Sequence, residues 1–248
     1  MAPQEFRHQN TTIQIKENTD MLYKQNQSYE LDEKLFKNPT SEYRAAPFWA
    51  WNCKLNKDIL NEQIDIFKKM GFGGFHMHSR IGMSTPYLKD EFMGLIKFCT
   101  QKAEQENMLA YLYDEDRWPS GSAGGYVTKT HKYRQRYLIF TQNSREHFSL
   151  DEAINSSKDY LLAVFDVVLN EKGELKSYHT ISENDTTIGT KWYAYVHTHD
   201  ESPWHNNQTY VDTLNKEAID EFIKITYEAY QSAVGDEFDK IIPSIFTD

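Results

Sequence analysis

The chain has 248 residues and a formal net charge of −10, with 27 Lys and Arg against 37 Asp and Glu. That balance argues against a nucleic-acid partner, which needs a basic face, and no apolar run approaches the roughly 20 residues that span a bilayer. Aromatic residues make up 14% of the chain, with 16 Tyr and 5 Trp, enough to serve a core or a sugar-binding surface.

Residues 1–42 read as a polar arm, rich at first in Gln, Asn and Thr and without a clear period. They contain no apolar segment of the secretory type, and Cys53 and Cys99 stand far apart and outside any metal spacing. Free thiols in a reducing cytoplasm are the expectation. From residue 43 the pattern changes. "APFWAWN" (46–52) is a short apolar strand, and "KDILNEQIDIFKKMG" places Ile59, Leu60, Ile64, Phe67 and Met70 at helical spacing before Gly71. "GGFHMHS" (73–79) is a second strand. In the next helix Leu88, Phe92, Leu95, Ile96, Cys99 and Ala103 share a face, and "MLAYLYDED" (108–116) is a third strand. A further helix is expected from about Ala123 to Tyr133.

The period then becomes that of strands. "RYLIFTQ", "YLLAVFDVVLN", "GELKSYHTI" and "KWYAYVHTH" are separated by turn residues, with "LNEKGEL" as a hairpin signal. Residues 137–210 therefore read as an inserted antiparallel β subdomain. The α/β pattern resumes over 211–248, where Ile219, Phe222, Ile223, Tyr230 and Val234 share a helical face and "KIIPSIFTD" supplies a fourth apolar run.

Alternating strands and helices with short connections predict an α/β fold with right-handed βαβ units on a parallel sheet. The expected architecture is a partial (β/α)8 barrel of about four βα units, its first part in 43–136 and its continuation in 211–248. The chain is then expected to be part of a larger barrel, with the remainder of that barrel or a second chain covering an open sheet edge. An open doubly wound sheet is the alternative, though no glycine-rich phosphate loop follows the first strand.

In a barrel the chemistry sits at the C-terminal strand ends. Here these read "WAWN" (49–52), "HMHSR" (76–80), "YDEDRW" (113–118) and "FTD" (246–248). His76 and His78 have the same parity, so both point to one side of their strand. They suit substrate contact, barrel lining, or a metal site of the amidohydrolase type that would need further ligands. Trp49, Trp51 and Trp118 suit either stacking on a pyranose or packing, and Asn52 a hydrogen bond to a hydroxyl. Arg80 and Arg117 could neutralise neighbouring carboxylates. "PSGSAGG" (119–125) is either a loop over the site or a turn into the next helix with Ser120 or Ser122 as N-cap. Asp114, Glu115 and Asp116 cannot together form a glycosidase acid–base pair, because neighbours on a strand point to opposite sides. They are expected to give one member of such a pair, ligands for a hard cation such as Ca²⁺, hydrogen bonds to sugar hydroxyls, or a solvated turn.

"PFWAWN", "GFGGFHMHSRIGMSTPYL", "AYLYDEDRWPSGSAGG" and "YVDTLNKEAIDEFIKITYEAY", with the closing "PSIFTD", together resemble bacterial glycoside hydrolases of the α-L-rhamnosidase-related group, glycoside hydrolase family 106 and its relatives. The resemblance spans residues 43–248. It implies a catalytic (β/α)8 barrel interrupted by β structure, inverting hydrolysis of oligosaccharides by glutamates, and calcium near the sugar as the one expected cofactor. The general acid is expected just past Asp248, so no catalytic residue is assigned within the chain. Substrate-pocket roles for His76, His78, Arg80, Asp114, Glu115, Asp116, Arg117 and Trp118 fit the resemblance, and Trp49, Trp51, Asn52 and Asp248 complete the candidate set. The alternatives are a non-catalytic carbohydrate-binding half-barrel and a metal-dependent amidohydrolase-like barrel using His76 and His78.

Overall fold

The structure, a computed structural model, describes residues 30–248, so residues 1–29 of the expected polar arm lie outside the described residues. The rest of that arm holds one short helix, α1 (Glu33–Lys37), whose first N–H groups are met by the Asp32 carboxylate.

Four parallel strands form one sheet, in the order β1 (Phe48–Trp51), β2 (Gly74–Ser79), β3 (Leu109–Tyr113) and β8 (Ile245–Phe246). Between β1 and β2 runs α2 (Lys57–Lys69), between β2 and β3 runs α3 (Asp90–Gln105), and α5 (Lys216–Val234) leads into β8. Asn56 starts α2 by accepting the N–H groups of Asp58 and Ile59, and Asn215 starts α5 by accepting that of Glu217. The period of two along the strands divides the sheet cleanly. Trp49, Trp51, Phe75, Met77, Ala110 and Leu112 face the helices and form one core with Leu60, Ile64, Phe92, Ile96, Cys99, Tyr230 and Val234. The opposite face carries Phe48, His76, His78, Tyr111, Tyr113 and Phe246, whose rings contact one another in a continuous aromatic layer.

Two of the expected helical stripes need correction. In α2, Leu60 and Ile64 are buried and Phe67 packs against them, whereas Ile59 is 54% exposed and Met70 64% exposed. Ile59 lies about 100° around the helix from Leu60, and Met70 falls beyond the last helical residue. In α5 the buried set is Ala218, Phe222, Thr226, Tyr230 and Val234, a row spaced four apart, and Ile223 points outward.

The helix expected over 123–133 does not form. Residues 119–130 run through successive turns, closed by one 3-10 turn at His131–Tyr133. Gly121, Ala123, Gly124 and Gly125 all have positive φ, which a right-handed helix cannot accommodate, so Ser120 and Ser122 cap nothing.

The second sheet is antiparallel, in the order β4 (Arg136–Thr141), β7 (Thr190–Thr198), β5 (Tyr160–Leu169) and β6 (Leu175–Ile181). Its β5–β6 hairpin closes where the Asn170 side chain accepts the N–H groups of Lys172 and Glu174. A helix that the sequence reading passed over, α4 (Leu150–Ser156), begins with a reciprocal Ser149–Glu152 capping box. One face of this sheet packs Val164, Tyr193 and Tyr195. The other leaves Leu138, Phe140, Leu162, Leu175 and Tyr178 about half exposed or more around an apolar groove of about 470 Å³. The fold is thus α/β with an antiparallel sheet between the third and fourth parallel strands. Among the described residues no helix is long and apolar enough to cross a membrane.

Candidate functional site

The β3 strand delivers Asp114, Glu115 and Asp116 into three separate hydrogen-bond networks. Asp114 is fully buried. Its Oδ1 accepts the Ser120 hydroxyl at 2.6 Å, and its Oδ2 accepts the Tyr227 hydroxyl at 2.8 Å and the Thr247 hydroxyl at 2.7 Å. One carboxylate therefore ties the end of β3 to α5, to the end of β8 and to the following loop. Burial pushes the Tyr227 phenol up to about 12, with the Asp114 charge acting in the same direction.

Glu115 turns into the glycine-rich loop. Its Oε2 accepts the backbone N–H groups of Gly121 (3.1 Å), Ser122 (2.7 Å) and Ala123 (2.7 Å). Its Oε1 accepts those of Asp116 (2.9 Å) and Gly124. Burial pushes its carboxyl up to about 7, while the N–H groups of Gly124, Asp116, Ala123 and Ser122 pull it back toward the ordinary range. The positive-φ residues that abolish the expected helix are the ones that point these N–H groups inward. Asp116 is held by the Asn206 side-chain amide at 2.6 Å and by Arg117 Nε at 3.2 Å.

The expected solvated turn is therefore overturned: the three acids are 0%, 1% and 5% exposed. Nor do Asp114 and Glu115 suit calcium, because both oxygens of each accept N–H or O–H donors, and Asp116 Oδ2 already accepts from Asn206 and Arg117. Among the described residues no group of three or more His, Cys, Asp and Glu is arranged to hold a metal.

The histidines sit in the aromatic layer. His78 is 2% exposed, stacks on Tyr113 at 3.8 Å between ring centroids, and has Nδ1 3.0 Å from the Ser79 carbonyl oxygen. His76 is partly buried and stacks on Tyr111 at 4.4 Å. Burial lowers the pKa of both, and Arg80 adds to the lowering at His78, so each is held toward the neutral form. For Trp49 and Trp51, candidates for either stacking or packing, the outcome is packing: they are core residues at 6% and 1% exposure. Their parity sends them to the helix side of β1, where Trp49 Nε1 donates to Gln63 Oε1 at 2.9 Å. Asp248 is exposed and joins the loop through its backbone: its N–H donates to Ser120 Oγ and its carbonyl accepts the Ser120 N–H.

The remaining candidates converge. Ala50, Asn52, Arg80, Ile81, Arg117, Trp118 and Trp204 line a cleft of about 230 Å³ beyond the C-terminal ends of β1, β2 and β3. Trp118 is 47% exposed and Trp204 45%, with ring centroids 6.3 Å apart and planes at 78°, so the two indoles form an open corner. The corner is built by the fold. Arg80 follows β2 in a turn whose Gly82 has φ +101 and lies so close to the Asn52 carbonyl that a Cβ would stand 2.6 Å from it. Arg117 and Trp118 follow the acid cluster, and the Trp118–Pro119 peptide is cis. Trp204 follows β7 in the chain, in a 3-10 turn started by Pro203 and capped by the Ser202 hydroxyl. It is fastened there because Asn206 binds Asp116 and the Gly124 carbonyl, and the Tyr210 hydroxyl donates to the Ser120 carbonyl at 2.7 Å. Sequence reasoning missed Trp204. Its signal was a tryptophan in the turn-rich "SPWHNN" (202–207), but its neighbours in space are about ninety residues away.

The cleft offers two apolar ring faces, two guanidinium groups, one amide and no carboxylate. It can hold a flat, hydroxylated ligand by stacking and hydrogen bonds, and it carries no proton donor or acceptor of the kind acid–base hydrolysis needs.

No family model and no curated protein matches the chain. Among solved structures it is similar to a rhamnosidase from Novosphingobium sp. PP1Y, at 16% identity and a TM-score of 0.40 over 60% of this chain. The chain spans 17% of that protein's length.

Proposed function

We propose that this chain forms one wall of the carbohydrate-binding site of a glycoside hydrolase built on a (β/α)8 barrel, acting on oligosaccharides that include α-L-rhamnosides. The observation that carries the reading is the corner of Trp118 and Trp204, placed with Asn52, Arg80 and Arg117 at the C-terminal ends of parallel strands. That is where barrel enzymes bind their substrates, and aromatic faces with a few placed polar groups are what a sugar ring requires. Four consecutive parallel strands with helices on one face support the partial barrel. Substrate contact is assigned to Asn52, Arg80, Arg117, Trp118 and Trp204. His76 lies in the adjoining aromatic layer at the edge of the same face. Asp114, Glu115 and Asp116 serve the scaffold, and the acid and base of hydrolysis are other residues of the enzyme.

Tryptophan emission of the chain, titrated with a panel of neutral and acidic oligosaccharides, tests this. Saturable quenching that is lost in Trp118→Ala and Trp204→Ala is expected; an emission unchanged by every member of the panel sinks the reading.

The absence of a carboxylate from the cleft lining favours a second reading, a carbohydrate-binding wall without chemistry of its own. Under either reading the 248-residue chain does not hydrolyse aryl α-L-rhamnosides. Hydrolysis above the buffer rate would return the buried acids to catalytic candidacy. The amidohydrolase-type reading is disfavoured, because His76 and His78 spend their ring faces on Tyr111 and Tyr113 and no third ligand joins them among the described residues.

A further inference from the structure

The cleft has a charge that the rest of the chain does not prepare one to find. Two of its lining side chains are arginines and none is acidic, in a chain whose formal net charge is −10. Arg80 is exposed at the rim and makes no ion pair among the described residues. Arg117 meets Asp116 through Nε alone, at 3.2 Å, and Asp116 is shared with the Asn206 amide. The terminal nitrogens of both guanidinium groups are therefore left for a ligand. The local positive field also reaches the buried rings nearby: Arg80 contributes to lowering the pKa of His78, and Arg117 to lowering that of His205.

A neutral sugar would leave this charge without a counter-charge beside the two half-exposed indoles. We propose that the cleft binds a hexuronic acid residue, its ring against the Trp118–Trp204 corner and its carboxylate received by Arg80 and Arg117. The inference rests on the carbohydrate reading above and names the substrate class of that same site. The chemistry favours a carboxylate. It projects from the edge of the pyranose ring, so the ring can lie on an indole while both oxygens reach the rim. A planar guanidinium fork matches two coplanar oxygens. Asn52, the one neutral polar group of the lining, is left to a ring hydroxyl.

The test is calorimetric titration of the 248-residue chain with digalacturonic acid and with its neutral counterpart, galactobiose, at low and high salt. Digalacturonic acid is expected to bind about tenfold more tightly or better, the worth of one charge-assisted contact. The preference should shrink as salt screens the exposed guanidinium of Arg80. Arg80→Gln and Arg117→Gln should each reduce it, and the double variant should abolish it; far-UV circular dichroism verifies that the variants fold. Trp118→Ala should weaken both ligands together. Equal affinity for the two disaccharides overturns the uronate proposal and leaves the carbohydrate reading standing. So does a preference that survives the double arginine variant, which would place the anion elsewhere on the surface. Failure of both disaccharides, together with a silent oligosaccharide panel, removes the carbohydrate reading itself.

Discussion

Glu115 carries a definite pH signature. Burial raises its carboxyl from 4.5 to about 7 in the folded chain. A group raised in this way binds its proton more tightly folded than unfolded. Its contribution is complete below about 4.5 and is lost as pH rises through 7, amounting to about 3 kcal/mol. Four histidines act in the opposite sense. His76, His78, His131 and His205 are all lowered by burial from 6.5, so their contribution is present above 6.5 and lost on acidification. The net profile of the protein therefore mixes the two, and the informative quantity is a difference. The stability margin of the wild type over Glu115→Gln, from denaturant midpoints between pH 4.5 and 8, should narrow by about 3 kcal/mol as pH rises. A margin that stays constant, or widens, rules out a protonated Glu115. Glu115→Ala should cost about 3 kcal/mol or more at any pH, because it strands several buried N–H groups at once.

At the scale of elements, α5 discriminates between the stripe expected from sequence and the stripe that is buried. Phe222 is 6% exposed and Ile223 46%. Phe222→Ala should cost about 3–5 kcal/mol by the usual large-to-small penalty, whereas Ile223→Ala should stay within about 0.5 kcal/mol; comparable losses at both positions would contradict the orientation of the helix. Tyr227→Phe removes one donor to the buried Asp114 and should cost about 1–2 kcal/mol. These contrasts show what periodicity can and cannot deliver. Strands β1, β2 and β3 and helices α2, α3 and α5 follow from short apolar runs, helical spacing and the Gly71 punctuation, all local signals. A stripe wider than the contact it serves is ambiguous, which is why helical spacing alone groups Ile59 with Leu60 and Ile223 with Phe222. The loop over 119–130 fails for another reason. Its path depends on a left-handed Ala123 and on the side chain of Glu115, and neither conformation nor partner is written in the loop itself. The capping box at Ser149–Glu152 was legible and simply overshadowed by the surrounding β pattern.

The whole molecule assembles its cleft from residues 50 to 204, and this explains why only part of the site could be read. Asn52, Arg80, Arg117 and Trp118 mark themselves by standing at strand ends. Trp204 belongs to no strand end and joins them only because the 203–210 segment folds back on the acid cluster. Trp49 and Trp51 had the right residue type on the wrong parity. The second sheet leaves its own mark at this scale. Leu138, Phe140, Leu162, Leu175 and Tyr178 form one exposed apolar face, larger in character than the scattered apolar residues of an ordinary surface. The chain should therefore enhance the fluorescence of 1-anilinonaphthalene-8-sulfonate in its native state, and the double variant Phe140→Lys, Leu162→Lys should remove most of that signal without lowering the unfolding midpoint. A native chain that leaves the dye dark would mean that the face is covered.

The loop around Glu115 closes on a group of its own chain. Successive N–H groups converging from a glycine-rich turn are the usual receptor for phosphate or sulfate, and "PSGSAGG" has the composition of one. Here the receptor arrives with its anion already attached to the chain, six to nine residues upstream. Above about pH 7, where the Glu115 carboxyl is ionised, a soluble oxyanion thus competes with a tethered one at very high effective concentration, and it loses. The glycine-rich segment works as an internal latch rather than as a ligand port.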